Sequence, residues 1–200
     1  MAEAKFIVFE GIDGCGKSTQ LQRLSEALRA RGRAVSATAE PTDGEWGRSL
    51  RRFLSGKEAR TDAELAALFV LDRLEHNRAI GASLAAGEDV ICDRYYYSTL
   101  AYQGSVCDYS WVRHMNCASP DIRHPDLCIF LDLTPEAALA RIGARGEARE
   151  VFEREETLTR VLNTFLQIFA DLDDRVAVID ASGTPDEVAE RVLAAVLPIL

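Results

Sequence analysis

Residues 5–18 read KFIVFEGIDGCGKS, and the fold is decided there. Lys5 to Glu10 is a short apolar run, rich in β-branched and aromatic side chains and closed by Gly11, which predicts a buried strand. Gly11 to Ser18 then spells G-x-x-x-x-G-K-S. From Lys17 the period changes: Leu21, Leu24, Ala27 and Leu28 recur at helical spacing, and Gly32 supplies a stop. A Gly-rich turn between a buried strand and an amphipathic helix reads as a phosphate loop rather than a structural turn. Its glycines permit backbone angles that aim successive N–H groups inward as an anion nest, and the helix adds its positive end. Lys17 reaches the β- and γ-phosphates of a nucleoside triphosphate, and Ser18 ligates Mg²⁺. The predicted donor-nucleotide residues here are therefore Gly11, Asp13, Gly14, Cys15, Gly16, Lys17, Ser18 and Thr19.

The rest of the chain alternates in the same way. Arg33 to Ala39, Asp89 to Cys92, Asp126 to Leu133 and Val176 to Asp180 read as strands, the third being the strongest. Helical patterns cover Asp43 to Leu54, Asp62 to Ala86, Tyr97 to Gln103, Tyr109 to Ala118 and Pro185 to Leu197. Another opens at Pro135, a favourable first helical position. Arg141 to Arg154 is charged and interrupted by glycines, which predicts a mobile loop passing into a helix that ends near Asp171. Five short apolar strands alternating with helices predict an α/β fold of the P-loop NTPase type, a five-stranded parallel sheet covered on both faces. No repeat, low-complexity tract or linker divides the chain, so residues 1–200 read as one domain with a lid at about 141–152.

Composition narrows the function. The apolar fraction of 48% and charged fraction of 28% are those of a globular protein. The net charge of −9 argues against a nucleic-acid-binding face, which needs clustered Lys and Arg. It leaves room for a small anionic substrate, because a few arginines in a cleft override the global sign. Cys15, Cys92, Cys107, Cys117 and Cys128 form no CxxC pair and read as reduced thiols of a cytoplasmic protein. No run approaches the roughly 18 apolar residues of a membrane span. The three histidines lack metal-ligand spacing: His114 and His124 read as structural, and His76 either supports Arg73 or packs at the surface.

Among P-loop proteins, the Asn-Lys-x-Asp signature of GTPases is missing, and Ala181-Ser182-Gly183 follows the last strand instead. The chain is short for a motor, which leaves a small-molecule kinase. Asp93-Arg94-Tyr95 stands at the carboxyl end of a strand, where sites form in such sheets. An Asp there holds the metal's water shell, and the adjacent Arg forks onto a phosphate.

With these residues the sequence resembles the thymidylate kinase family over nearly its whole length. The resemblance rests on residues 9–20, Glu40-Pro41, Leu68-Phe69, Asp72-Arg73-x-x-His76, Asp93-Arg94-Tyr95 and Ser98-Thr99. It continues through Ala101-Tyr102-Gln103-Gly104, Pro125-Asp126-Leu127, Leu131-Asp132 and Asp180-Ala181-Ser182. It implies transfer of the γ-phosphoryl group of ATP to dTMP with Mg²⁺, in dTTP biosynthesis, by a homodimer. Asp13 would accept from the deoxyribose 3′-hydroxyl, between the donor and acceptor phosphates. Phe69 would stack on thymine, and Arg73, at i+4 on the same helix face, would donate to its O4. Arg94 would bind the acceptor phosphate, Ser98 and Thr99 would read the thymine edge, and Gln103 and Pro41 would line the pocket. Tyr102 would pack under the sugar and crowd a 2′-hydroxyl.

Three departures stand out. The arginine that commonly precedes Glu-Pro is Ala39, so either an acceptor-phosphate clamp is missing or Arg48 or Arg51 from the next helix substitutes for it. Thr42-Asp43 replaces Gly-Gly. Gly14 stands where one branch of the family carries a P-loop arginine, so Arg145 and Arg149 of the lid are expected to act with Lys17 as the catalytic cations. Arg141 and the loop at Ala181 and Ser182 would hold the adenine. Ser18 and Asp93 would hold the metal, and Glu153 would order the metal or acceptor side.

Overall fold

The structure is a computed structural model that describes residues 3–145, 152 and 154–200. Five parallel strands form one sheet: β1 (Phe6–Glu10), β2 (Val35–Ala39), β3 (Asp89–Asp93), β4 (Leu127–Asp132) and β5 (Val176–Asp180), in the spatial order β2-β3-β1-β4-β5. All five residues of β1 are buried, as are the first five of β4. These central strands therefore read as unbroken apolar runs, because helices cover both faces. In register, Phe9 lies between Asp93 of β3 and Ile129 of β4. The connection from β3 to β4 crosses over β1, and this reversal of strand order leaves a crevice beyond the carboxyl ends of β1 and β3.

Eight helices appear among the described residues. They are α1 (Lys17–Arg29), α2 (Glu45–Leu54), α3 (Asp62–Ala85), α4 (Tyr96–Tyr102), α5 (Tyr109–Cys117), α6 (Pro135–Arg145), α7 (Glu155–Asp171) and α8 (Pro185–Val196). A capping box starts α3: the Thr61 hydroxyl accepts from the Glu64 N–H, and the Glu64 carboxylate accepts from the Thr61 N–H at 2.7 Å. Thr184 and Glu187 do the same for α8, with Pro185 at its first turn. The expected last helix stops one residue early, since Pro198 turns Leu197–Ile199 into a 3₁₀ turn. The 95–97 tyrosine run is wholly buried, with neighbouring rings 4.9 and 4.3 Å apart.

One expectation is corrected. Residues 141–145 continue α6 instead of starting a loop. Ala138 and Ile142, four apart, both face the interior, and Gly143 sits on the exposed side where a missing side chain removes no contact. Burial along one stripe outweighs the weak helix propensity of a single glycine, about 1 kcal/mol.

Candidate active site

The phosphate loop is wedged between β4 and α6. A Cβ on Gly11, at φ 141°, would lie 2.8 Å from the Leu131 carbonyl oxygen. One on Gly14, at φ 85°, would lie 2.5 Å from that of Ala138. Only glycine satisfies both the angle and the space. Lys17 Nζ donates to the carbonyls of Gly11 and Ile12, each at 3.1 Å, so its ammonium is held over the turn. Burial pushes the Cys15 thiol up, leaving it a packing group within the loop.

At the adjacent strand end, Ser18 Oγ donates to Asp93 Oδ2 at 2.7 Å. Two hard oxygen donors meeting beside the loop suit a Mg²⁺ ion that takes its other ligands from phosphates and water. Among the described residues no cluster of three His, Cys, Asp or Glu forms an all-protein metal cage.

Arg94 turns back from the end of β3 with φ 70°, a left-handed backbone angle uncommon for an arginine. Its guanidinium pairs with Asp13, donates to Ser98 Oγ at 2.8 Å and lies over the Tyr102 ring at 5.5 Å. The Tyr102 hydroxyl donates to the other Asp13 oxygen at 3.1 Å. Burial raises the Asp13 carboxyl, but the charges of Arg94 and Lys17 outweigh it and hold the group below its usual range. Desolvation alone would lower Arg94, yet the surrounding anions, Asp13 foremost, lift it well above its ordinary value. Burial keeps the Tyr102 phenol protonated, so it stays a donor.

Sequence reasoning passed over the carboxylate that positions this group. Glu10, fully buried at the end of β1, accepts from the N–H groups of Tyr95 (2.8 Å) and Ser98 (3.1 Å) and from Ser98 Oγ (2.7 Å). It thereby fixes the start of α4, which carries Ser98, Thr99 and Tyr102. Its signal was an acidic residue closing an otherwise apolar strand. Burial raises the Glu10 carboxyl against the opposing pull of Arg94. Ser98 lines the cleft, and its hydroxyl donates to Glu10 and accepts from Arg94.

A cleft of about 900 Å³ runs from Gly16, Lys17 and Thr19 to the β2–α2 loop and α3. Pro41, Phe69, Arg73, Thr99, Tyr102 and Gln103 all line it, as expected. Arg73 is 1% exposed and almost fully committed. Its Nε and Nη2 donate to Glu40 at 2.9 and 2.7 Å, Nη2 also to Thr99 Oγ1 at 3.2 Å, and Nη1 to Asn116. His76 stands against Glu40 (3.0 Å) and Thr38 (2.7 Å), so it supports Arg73 through the shared carboxylate. Glu40 and Asn116 carried no sequence signal of this role.

Arg48 is the expectation that fails. It is exposed, it donates to the Asp43 carbonyl at 2.6 Å at the foot of α2, and it does not line the cleft. Arg51, three residues further, does. In place of Gly-Gly, Thr42 anchors the loop by donating its N–H to buried Asp72 at 2.9 Å. Arg141 bridges the Cys15 and Ala181 carbonyls at 3.2 and 3.0 Å, which joins the phosphate loop to the turn after β5, with Ser182 exposed beside it. Arg145 is the last residue of α6, whereas Arg149 and Glu153 lie outside the described residues.

A phosphate loop opening onto a cleft lined by arginines and aromatic rings is a layout that suits a nucleotide kinase. The sequence profile of one such family, thymidylate kinase, matches residues 9–192. The chain belongs to the thymidylate kinase family. It is 41% identical to a thymidylate kinase of Solidesulfovibrio magneticus over 94% of this chain and 96% of that one. It is also 41% identical to the thymidylate kinase of Desulfotalea psychrophila, over 80% of each chain. A probable thymidylate kinase of Pyrococcus horikoshii is 37% identical over 96% of this chain and 95% of its own. The fold agrees with the thymidylate kinase expectation, and of the two arginines of α2 it is Arg51, not Arg48, that lines the cleft. No helix of the described residues is long and apolar enough to cross a membrane.

Proposed function

We propose that this chain transfers the γ-phosphoryl group of ATP to dTMP, giving dTDP and ADP on the route to dTTP. One observation carries the reading: a single cleft joins the phosphate loop to a pocket lined by Phe69, Arg73, Thr99 and Tyr102, with the Asp13–Arg94 pair between them. Phosphoryl transfer needs positioning and charge neutralisation more than acid–base chemistry. The backbone N–H groups of the loop and Lys17 hold the donor's β- and γ-phosphates. Arg94 and Arg51 orient the acceptor phosphate for in-line attack on the γ-phosphorus, with Asp13 beside both. Phe69 stacks on thymine, Arg73 donates to its O4, and Thr99 and Gln103 complete the base pocket.

Ser18 and Asp93 would hold Mg²⁺, which supplies charge neutralisation at the phosphates. Arg145 and Arg149 would bring the positive charge that Gly14 does not provide, from a lid at about 141–152 in a single-domain chain. Arg141, Ala181 and Ser182 would receive the adenine. The free thiols suit a cytoplasmic location. A homodimer is the assembly we infer from the family.

The test is ADP release measured with ATP-Mg²⁺ across dTMP, dCMP, dGMP, AMP and thymidine. A strong preference for dTMP is the expected result. AMP as the best acceptor would sink the base-pocket assignment, and thymidine as the best acceptor would make the chain a nucleoside kinase.

A further inference from the structure

Tyr102 is held by more than its hydroxyl. Its O–H donates to an Asp13 carboxylate that Arg94 already grips, and at 3.1 Å this is a long bond for a phenol. Arg94 lies over the ring at 5.5 Å, and a second packing partner fixes its tilt. Phe152, a half-buried residue just before α7, is that partner: its ring centroid lies 5.2 Å from that of Tyr102 at an interplanar angle of 56°. Phe53 of α2 backs Phe152 in turn at 6.0 Å and 47°. Both contacts fall in the range where aromatic pairs attract in tilted geometry. Phe152 also lines the cleft, as Tyr102 does.

We propose that Phe152 is a positioning residue for sugar discrimination: it fixes the Tyr102 ring beneath the acceptor's pentose, so that a 2′-hydroxyl is excluded. The inference rests on the reading of Tyr102 as the group under the sugar. The Phe152 side chain has no polar atom with which to hydrogen-bond a substrate. Its contribution is to remove the freedom by which Tyr102 would swing aside for a ribonucleotide. A purely structural Phe152, stapling the start of α7, would support both acceptors equally and leave their ratio alone.

The experiment compares kcat/KM for dTMP and for ribothymidine 5′-monophosphate in the wild type and in Phe152→Ala, Phe152→Leu and Tyr102→Ala variants, with circular dichroism melts of each. Phe152→Ala should narrow the preference for dTMP by about three- to tenfold, the size of one aromatic pair's orientational preference. Phe152→Leu, which retains bulk without the ring, should fall between it and the wild type. Tyr102→Ala should narrow the preference at least as much. If Tyr102→Ala relaxes the ratio and Phe152→Ala lowers both acceptors in proportion, the role of Phe152 is overturned while that of Tyr102 stands. If Tyr102→Ala leaves the ratio unchanged, the reading of Tyr102 fails, and the inference fails with it. Should the alanine variant at 152 not fold, the leucine variant decides: an unchanged ratio overturns the proposal.

Discussion

Arg94→Lys should lower kcat/KM for dTMP by roughly 10²- to 10³-fold, the loss typical when one preorganised charge-stabilising donor is removed. ATP binding should stay within a few-fold. The asymmetry follows from geometry. The Arg94 fork spans Asp13 on one arm and Ser98 on the other, and its plane lies over Tyr102. A lysine ammonium is a point charge on a flexible stem and cannot make both contacts in one plane. The strained φ of 70° at this position persists in the variant, because the Tyr95 N–H just beyond it still bonds to Glu10. Steady-state kinetics with each substrate varied, and ATP affinity by fluorescence titration, check the result. Collapse of ATP affinity with normal dTMP kinetics would place Arg94 on the donor side.

Glu40→Gln should cost about 3–5 kcal/mol of stability, which for a chain of this size lowers Tm by roughly 6–20 °C. Arg73 and Glu40 are almost wholly buried, and the carboxylate takes two donors from the guanidinium and faces His76. A neutral amide leaves a charge inside the protein with no counter-charge, and Thr99 and Asn116 offer only neutral oxygens in its place. The second arm of the test is the double variant Glu40→Gln with Arg73→Met. Replacing both members of a buried pair is often near neutral, so the double variant should recover most of the lost Tm while losing dTMP turnover. A single-variant shift below 2 °C, or a double variant no better than the single, would show that the pair is not what holds α3 to the β2–α2 loop.

The fold was legible because its signals are local. β1, β3, β4 and β5 are runs of mostly apolar residues bounded by glycine or polar breaks, and the turn from Gly11 to Ser18 follows β1 directly. The boundary misjudged was the end of α6, where Gly143 and a run of charges hid the Ala138–Ile142 stripe. The residues expected to line the cleft were legible too, since Phe69, Arg73, Arg94 and Tyr102 all reach it. Residues that hold them in place were not. Glu10 acts on Tyr95 from 85 positions away, Glu40 on Arg73 from 33, and Asn116 on Arg73 from 43. A buried carboxylate and a solvated one look alike in a string of letters, and only the sheet brings such partners together. Arg48 and Arg51 differ by less than one helical turn, and the choice between them turned on a carbonyl at the foot of α2.

The position of Asp13 carries a consequence for how the two nucleotides sense each other. Asp13 belongs to the turn that cradles the donor, yet its two oxygens are held by Arg94 and Tyr102 from the acceptor side. Any substrate that draws Arg94 toward its own phosphate must loosen that grip, and any substrate that resets the turn must move the carboxylate that Arg94 holds. Under the proposed function, occupancy of one half would therefore change the free energy of filling the other. By linkage the effect is reciprocal: the factor by which donor alters acceptor affinity equals the factor by which acceptor alters donor affinity. The order in which the two arrive leaves that factor unchanged.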